Sequence, residues 1–387
     1  MKISERAAKI QPSATLAVAA LARELKAAGR PVLSFSAGEP DFRSPDSALK
    51  AARDAMDRGE THYTANSGIP ELKRAIAAYY KTRFGLEYSP PEIIVAGGAK
   101  QVLYETLQAL VDAGDEVIMP SPAWVSYVEQ VRLAEGRAVM ADTSGTGFVP
   151  TRESIERALS PRTKGIIINS PNNPTGAVYG EDTLKMLAGI AREKDLWIIY
   201  DEIYERLVYG GAKHYNLLRI APDLRDRVII INGVSKAYSM TGWRIGYVLA
   251  PKEVTAKIDD IQSHLSSNPS SIAQWAAVGA IEGGETDVEP HRAEFERRRD
   301  LLFDLLSEAE GLKLARPDGA FYAFIDVRDS AIPDDKEFCR RILEEKFVAL
   351  VPGDAFFAPG YVRMSYACSQ DDIREGAARI KEFLRHR

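Results

Sequence analysis

The strongest candidate for chemistry in this sequence is a lysine that follows a run of Ile and Val residues. In RVIIINGVSKAYSMTGWRIGY, Lys236 comes shortly after this run and directly after Ser235. Position alone favours a solvated surface lysine. The amine of a lysine near a desolvated strand end is, however, the type that forms Schiff bases, and Arg244 could bind a phosphate by two hydrogen bonds. The segment therefore favours a lysine that bonds covalently to a carbonyl group beside an anion site.

A carboxylate ends a second apolar run, in LWIIYDEIYERLVY. Asp201 follows five apolar residues, and Tyr204 would share its face one turn later in a predicted helix. One interpretation is that Asp201 caps this helix, which is the commoner role. The other is that a carboxylate held in a dry site pairs with a cationic ring nitrogen. Both interpretations stay open at this point.

Two further strand ends carry residues that suit ligand binding. In GIIINSPNNPTG, prolines flank Asn172 and Asn173, and an amide held in this way can donate to a phenolate oxygen, although a simple turn is the alternative. In EIIVAGGAKQVLYETLQAL, a strand leads through Gly97, Gly98 and Ala99 into a helix. Free N–H groups and the dipole at a helix start can hold a phosphate, but a tight strand–helix turn needs glycine in any case.

These residues need a scaffold that brings the strand ends together. From about residue 90 to 250, short apolar runs alternate with amphipathic stretches, which predicts a largely parallel sheet with helices on both faces. In open sheets of this kind, ligands bind outside the carboxyl ends of the strands. A helix is predicted to begin at Pro70. The predicted strands are Ile93–Val95, Val117–Met119, Ile166–Ile168, Leu196–Tyr200 and Val228–Ile231.

The sequence changes character after about residue 285. A charged helix precedes two apolar runs, Phe321–Ile325 and Val362–Tyr366, which indicates a small α+β domain. We expect residues 46–284 to form a large domain and residues 285–387 to form the small C-terminal domain. The N-terminal segment, residues 1–45, is predicted to join the small domain.

Composition excludes several classes of protein. An apolar fraction of 45% and a charged fraction of 27% are typical of globular chains. A net charge of -5 argues against nucleic acid or anionic membranes as partners. Cys339 and Cys368 lack the spacing of metal or redox sites, and no metal is expected. Arg23 and Glu24 interrupt the apolar N-terminal stretch, so we expect a cytoplasmic protein.

Five motifs in order resemble the class I aminotransferases of pyridoxal-phosphate (PLP) fold type I. They are Gly-Gly-Ala-Lys, Asn-Asn-Pro-Thr-Gly, Asp-Glu-Ile-Tyr, Ser-Lys-(seven residues)-Arg-Ile-Gly-Tyr and Val-Arg-Met-Ser-Tyr. The match extends from about Pro12 to Tyr366. The resemblance implies an α/β fold, with a mostly parallel seven-stranded sheet between helices and a small α+β domain. It also implies PLP as the cofactor and a homodimer.

The resemblance implies a role for each matching residue. Lys236 would hold PLP as a Schiff base, Asp201 would pair with its ring nitrogen, and Tyr204 would assist in catalysis. Trp124 would stack on the ring. The remaining contacts to the cofactor would come from Asn173 and Tyr204 at the ring oxygen, from Arg244, Ser235, Gly98 and Ala99 at the phosphate, and from Tyr63 at the phosphate of the neighbouring subunit. Gly233 departs from the family pattern, which often has a second phosphate-binding serine, so a thinner phosphate shell is expected.

Substrate selection follows from the same resemblance. Arg363, helped by Gly38, would bind the substrate α-carboxylate, with Trp124 and Asn173 nearby. Gln-Pro-Ser-Ala-Thr and Lys100 resemble the bacterial aspartate aminotransferases that recognise a distal carboxylate with lysine, and Ser13 and Thr15 would lie near that carboxylate. Aspartate or glutamate would donate its amino group to a 2-oxo acid by a ping-pong mechanism.

Alternative functions remain within the same fold. An aromatic or prephenate aminotransferase, or a PLP-dependent carbon–sulfur lyase, would share Lys236, Asp201 and Arg363. A transcriptional regulator would need a DNA-binding extension, for which a match from Pro12 leaves no room. A nicotinamide dehydrogenase is disfavoured because no G-x-G-x-x-G opens the first strand–helix unit.

Overall fold

A computed structural model describes residues 3–8 and 10–385. The described ranges leave out residues 1, 2, 9, 386 and 387, which belong to the N-terminal segment and the small C-terminal domain predicted from the sequence. The strands are β1 (Leu33–Ser34), β2 (Ile93–Ala96), β3 (Glu116–Ser121), β4 (Arg137–Asp142), β5 (Thr163–Asn169), β6 (Trp197–Asp201), β7 (Val228–Gly233), β8 (Gly246–Leu249), β9 (Lys313–Leu314), β10 (Tyr322–Asp326), β11 (Val348–Ala349), β12 (Val351–Pro352) and β13 (Tyr361–Ser365). The helices are α1 (Glu5–Ala8), α2 (Ala14–Ala27), α3 (Asp46–Asp57), α4 (Pro70–Phe84), α5 (Ala99–Leu110), α6 (Val125–Leu133), α7 (Arg152–Ala158), α8 (Glu181–Lys194), α9 (Leu217–Ile220), α10 (Lys252–Leu265), α11 (Ser271–Gly283), α12 (Glu285–Leu306), α13 (Asp335–Lys346) and α14 (Gln370–Arg385).

The central sheet has seven strands in the order β2-β8-β7-β6-β5-β3-β4. All neighbours pair in parallel except β8, which runs antiparallel to β2 and to β7. The predicted α/β class with a mostly parallel seven-stranded sheet is therefore confirmed. The five predicted runs became β2, β3, β5, β6 and β7, whereas β4 and β8 were not predicted.

Alternate residues of each central strand point to opposite faces of the sheet. Ile166 and Ile168 of β5 pack into a core with helices α4, α8 and α11. Ile167, between them, packs into a second core with α5, α6 and α10. Because both faces are buried, these strands consist of continuous apolar residues and do not alternate with polar ones. Helix α4 begins at Pro70 as predicted, with the proline in the first turn.

A second sheet lies in the C-terminal part of the chain, with antiparallel strands in the order β12-β13-β10-β9. The short strand β1 pairs in parallel with β11, so the N-terminal segment contacts this part of the fold. Helix α2 contributes Ala22 to a small core with Leu343 and Ala349. The three domain boundaries drawn from the sequence stay predictions.

The helix predicted after Asp201 is absent. Asp201 is the last residue of β6, and Tyr204 lies in a turn. The side-chain Oδ1 of Asp201 accepts from the backbone N–H of Ile203 at 3.0 Å, which favours a turn over a helix. Glu202 is fully buried and accepts from Asn216 at 2.8 Å, so the chain is held away from a helical course.

Candidate active site

A cavity of about 530 Å³ lies at the carboxyl ends of the central parallel strands. Such a position is the usual ligand site of an open α/β sheet. Every predicted site residue except Gly98 and Tyr63 lines it. These lining residues are Ser13, Thr15, Gly38, Ala99, Lys100, Trp124, Asn173, Asp201, Tyr204, Ser235, Lys236, Arg244 and Arg363.

Lys236 lies just past β7, as expected. Its Nζ donates to the backbone oxygen of Gly38 at 2.6 Å and lies 6.0 Å from the ring centre of Tyr204. Burial of the amine disfavours its charged form and lowers the pKa to about 8. The lowered pKa raises the neutral fraction of the Lys236 amine near neutral pH, and the neutral amine is the form that acts as a nucleophile.

Asp201 is 4% exposed at the end of β6. Burial raises the pKa of its carboxyl group to about 6, while a hydrogen bond from the Tyr127 hydroxyl to Oδ2, at 2.7 Å, favours the ionised form. The Asp201 side chain caps no helix. It is therefore a carboxylate in a dry site, able to pair with a cation that enters the cavity.

Arg363 is 1% exposed on β13. Its guanidinium donates to Asn173 Oδ1 at 3.0 Å and to the backbone oxygen of Ser36 at 2.7 Å. Burial lowers the pKa of Arg363. The Nε atom is buried without a hydrogen-bond partner in the described part of the chain, so the guanidinium keeps a donor for a ligand.

The turn before α5 has the form of an anion site. Gly98 has φ +105°, and a Cβ there would overlap the guanidinium of Arg244, which lies against the turn. The guanidinium donates to the backbone oxygen of Thr241 at 2.7 Å. Ala99 begins the helix, so its N–H group is free of helical bonds. Serine does not fit at Gly233, where a Cβ would come within 2.9 Å of Gly246 Cα and the Ile245 oxygen.

Lys100 and Trp124 form a second part of the cavity wall. The Nζ of Lys100 lies 4.9 Å from the Trp124 ring centre, and burial lowers the pKa of this lysine, with a contribution from the charge of Arg244. Ser13 is the N-cap of α2 and accepts from Leu16 N at 3.5 Å. Thr15 Oγ1 is buried and has no partner among residues 3–8 and 10–385.

Tyr63 is 92% exposed and lies outside the cavity. Two residues that support the site were not predicted from the sequence. Tyr127 bonds to Asp201, and the Tyr322 hydroxyl lies 2.9 Å from that of Tyr204. The position of Tyr127, three residues after Trp124, is only a weak indication that it belongs to the site. Nothing in the sequence of the strand that carries Tyr322 indicates such a role.

The cavity wall is electropositive. Five cationic side chains line it against two carboxylates, Glu39 and Asp201, which suits a ligand that carries several negative charges. Among the described residues, no group of three or more His, Cys, Asp or Glu side chains is arranged to hold a metal ion. No helix in the described ranges is long and apolar enough to span a membrane.

Comparisons with known proteins define the class. Residues 30–380 match the family model of aminotransferase class I and II, and the chain belongs to this family. An aspartate aminotransferase of Geobacillus stearothermophilus is 46% identical over 392 residues, with 100% of each chain covered. An aspartate/prephenate aminotransferase of Cereibacter sphaeroides is also 46% identical, with 98% of each covered. A solved aspartate aminotransferase from Thermus thermophilus, with maleate, superposes with a TM-score of 0.95 at 44% identity, covering 99% of this chain and 100% of that one.

Proposed function

We propose that this chain is a PLP-dependent aminotransferase that moves the amino group of aspartate or glutamate to a 2-oxo acid. The observation that carries the proposal is one cavity that contains a lysine amine of lowered pKa, a buried carboxylate and, well apart from each other, the guanidinium groups of Arg244 and Arg363. Relatives at 46% identity that are named aspartate or aspartate/prephenate aminotransferase support the substrate class. Maleate, in the similar Thermus structure, is a four-carbon dicarboxylate.

The residues present fit PLP. The cofactor requires an amine for its aldehyde, donors for its phosphate and an anion for its ring nitrogen. Lys236 would supply the amine and Asp201 would supply the anion. The donors for the phosphate would come from Arg244, Ser235 and the Gly98–Ala99 turn. In the described ranges, the buried Nε of Arg363 and Oγ1 of Thr15 have no hydrogen-bond partner, as expected of cavity-lining groups that face a polar ligand.

PLP, when bound, would supply an electron sink that stabilises negative charge at the substrate α-carbon. Asp201 would hold the ring nitrogen in its protonated state, and Tyr127 would keep Asp201 ionised. Tyr204 and Asn173 would donate to the ring oxygen, and Trp124 would cover one face of the ring.

The chain's own residues would carry out the proton transfer. The amine of Lys236, once free, would take the proton from the substrate α-carbon and pass it to the cofactor carbon. Its lowered pKa of about 8 favours such proton exchange near neutral pH. Arg363 would bind the substrate α-carboxylate, with Gly38 beside it, and so orient the α-C–H bond. Lys100, with Thr15 and Ser13, would bind the distal carboxylate.

The proposal includes a homodimer with shared sites, in which Tyr63 reaches the phosphate site of the partner. Its support is the resemblance together with the 92% exposure of this tyrosine in the single chain. A cytoplasmic location stays a prediction from the sequence.

The direct test is an assay of the purified enzyme with aspartate and 2-oxoglutarate, with Lys236→Ala as the inactive control. We expect glutamate and oxaloacetate in equal amounts and parallel double-reciprocal lines. Prephenate as acceptor tests the aromatic alternative, and pyruvate release from a cysteine conjugate tests the lyase. Pyruvate release without oxaloacetate formation would refute the proposal.

A further inference from the structure

The chain between Ser36 and Ser44 passes directly beside two groups of the proposed mechanism. The backbone oxygen of Ser36 accepts from Arg363 at 2.7 Å, and that of Gly38 accepts from Lys236 at 2.6 Å. A side chain at Gly38 would overlap the Tyr322 hydroxyl, so the backbone lies close against the site wall. The position of this 36–44 segment therefore affects the geometry at both Lys236 and Arg363.

Helix α12 holds the far part of the 36–44 segment. His291, Phe295 and Arg298 are spaced so that they share one face of this helix. Phe42 stacks on the His291 ring, with ring centres 4.1 Å apart and planes 4° apart, and meets Phe295 edge-on at 5.0 Å. The Arg298 guanidinium lies 4.8 Å from the Phe42 ring centre.

Arg298 also forms a two-point ion pair with Asp41. Its Nη1 and Nη2 atoms lie 2.7 Å and 3.0 Å from the two carboxylate oxygens. Its Nε donates to Glu294 at 3.0 Å, and its side chain is only 7% exposed. A bidentate pair fixes direction as well as distance, and low exposure limits screening by solvent and salt. Although the Asp41 side chain is 35% exposed, the two-point geometry therefore holds it more firmly than a single contact to a surface side chain would.

The loop after Lys236 holds the 36–44 segment from the other side. The Thr241 hydroxyl donates to Glu39, and Trp243 Nε1 donates to Ser44 Oγ at 3.0 Å. The segment is thus tied both to the loop that carries Lys236 and Arg244 and to helix α12. Gly38 directly precedes Glu39, the first of these attachments, and Asp41 follows three residues after Gly38.

We propose that Arg298 is a positioning residue for the reaction. Through Asp41 and Phe42 it fixes the 36–44 segment, so that Gly38 stays at the Lys236 amine and Ser36 at the Arg363 guanidinium. Arg298 does not line the cavity, so it acts through this backbone and touches no substrate. The inference rests on the proposed function only in assigning chemistry to Lys236 and Arg363.

The test compares Arg298→Met and Arg298→Lys with Arg297→Met, at the adjacent position of the same helix. Arg297 pairs with Glu294 at 2.8 Å but is 62% exposed, so its loss should leave kinetics unchanged. Misplacement of a substrate-binding group by about 1 Å costs on the order of 100-fold. We therefore expect Arg298→Met to raise KM for aspartate and to lower kcat. Together these changes should lower kcat/KM by about 10- to 100-fold. PLP affinity should change little, and Arg298→Lys should recover part of the loss.

Wild-type kcat and KM in Arg298→Met, with only a lower Tm, would overturn the proposal and leave Arg298 a structural residue. If Arg298→Met does not fold, Asp41→Asn keeps the size of the side chain and should shift KM in the same direction. A wild-type enzyme without aspartate turnover would refute the proposed substrate. The comparison would then use the amino acid that the wild type does turn over.

Discussion

At the scale of single residues, burial moves the pKa values of two partners in opposite directions. The pKa of the Lys236 amine falls to about 8 and the pKa of the Asp201 carboxyl group rises to about 6, because a dry site disfavours the charged form of each. A cationic ring nitrogen beside Asp201 would favour its ionised form again. Burial thus brings both pKa values closer to neutral pH, and groups with pKa values perturbed in this way are typical of sites that move protons.

The first prediction concerns Asp201. The Asp201→Ala variant should still bind PLP, but more weakly. Its rate of proton transfer should fall by on the order of 10²- to 10³-fold, because no residue then keeps the ring nitrogen protonated. Single-turnover spectra with aspartate measure this rate separately from binding. Near-normal turnover would mean that the carboxylate serves only the turn at Ile203.

Lys100 carries the second prediction. Its amine lies 4.9 Å from the Trp124 ring centre at the cavity wall, and removing it would leave a bound distal carboxylate unpaired. Loss of one partner of such a pair costs about 2–5 kcal/mol, so Lys100→Ser should lower kcat/KM for aspartate by roughly 30-fold to several thousandfold. Phenylalanine, which lacks that carboxylate, is the control substrate and should change far less. Equal losses for both would assign Lys100 to the cofactor or the fold.

At the scale of elements, the turn between β2 and α5 gives a third prediction. Gly98→Ala combines a positive φ with a Cβ that overlaps Arg244, and should weaken PLP binding by about tenfold to a hundredfold through the loss of charged hydrogen bonds. Gly114→Ala is the matched control, since Gly114 also has positive φ (+85°) but nothing within 4 Å of its Cβ. Both variants should lose stability, by about 1–3 kcal/mol. Equal PLP dissociation constants in the two variants would contradict an anion site at this turn.

Sequence patterns predicted the strands that are buried on both faces of the central sheet. The central strands β5, β6 and β7 are continuous runs, and their ends marked Asn173, Asp201 and Lys236 in advance. Strand β4, at the sheet edge and only partly buried, has the apolar run Ala138–Ala141, but two of these four residues are alanines, which have low strand propensity, and the run was not predicted. The helix predicted after Asp201 failed because the buried contacts of Glu202 are tertiary and override the local pattern. Tyr127 and Tyr322 could not be predicted, since only the folded chain brings them to Asp201 and Tyr204.

At the scale of the whole molecule, the single chain leaves Tyr63 almost fully exposed although the resemblance gives it a role at a phosphate. The fourth prediction is that sites are shared between two subunits. Mixed Tyr63→Ala and Lys236→Ala subunits should regain activity, because one of the two sites in each heterodimer then has native Lys236 and native Tyr63. Absence of recovery, with subunit exchange verified by mass, would place Tyr63 outside the site.

Borohydride reduction can show whether Lys236 bonds covalently to PLP. We expect the purified protein to be yellow, and reduction followed by peptide mapping to find the cofactor on the peptide that contains Ser235 and Lys236. Addition of aspartate before reduction should prevent the labelling, because the amino acid takes the place of the lysine. Label on any other lysine, or on none in a protein that transfers amino groups, would contradict the account.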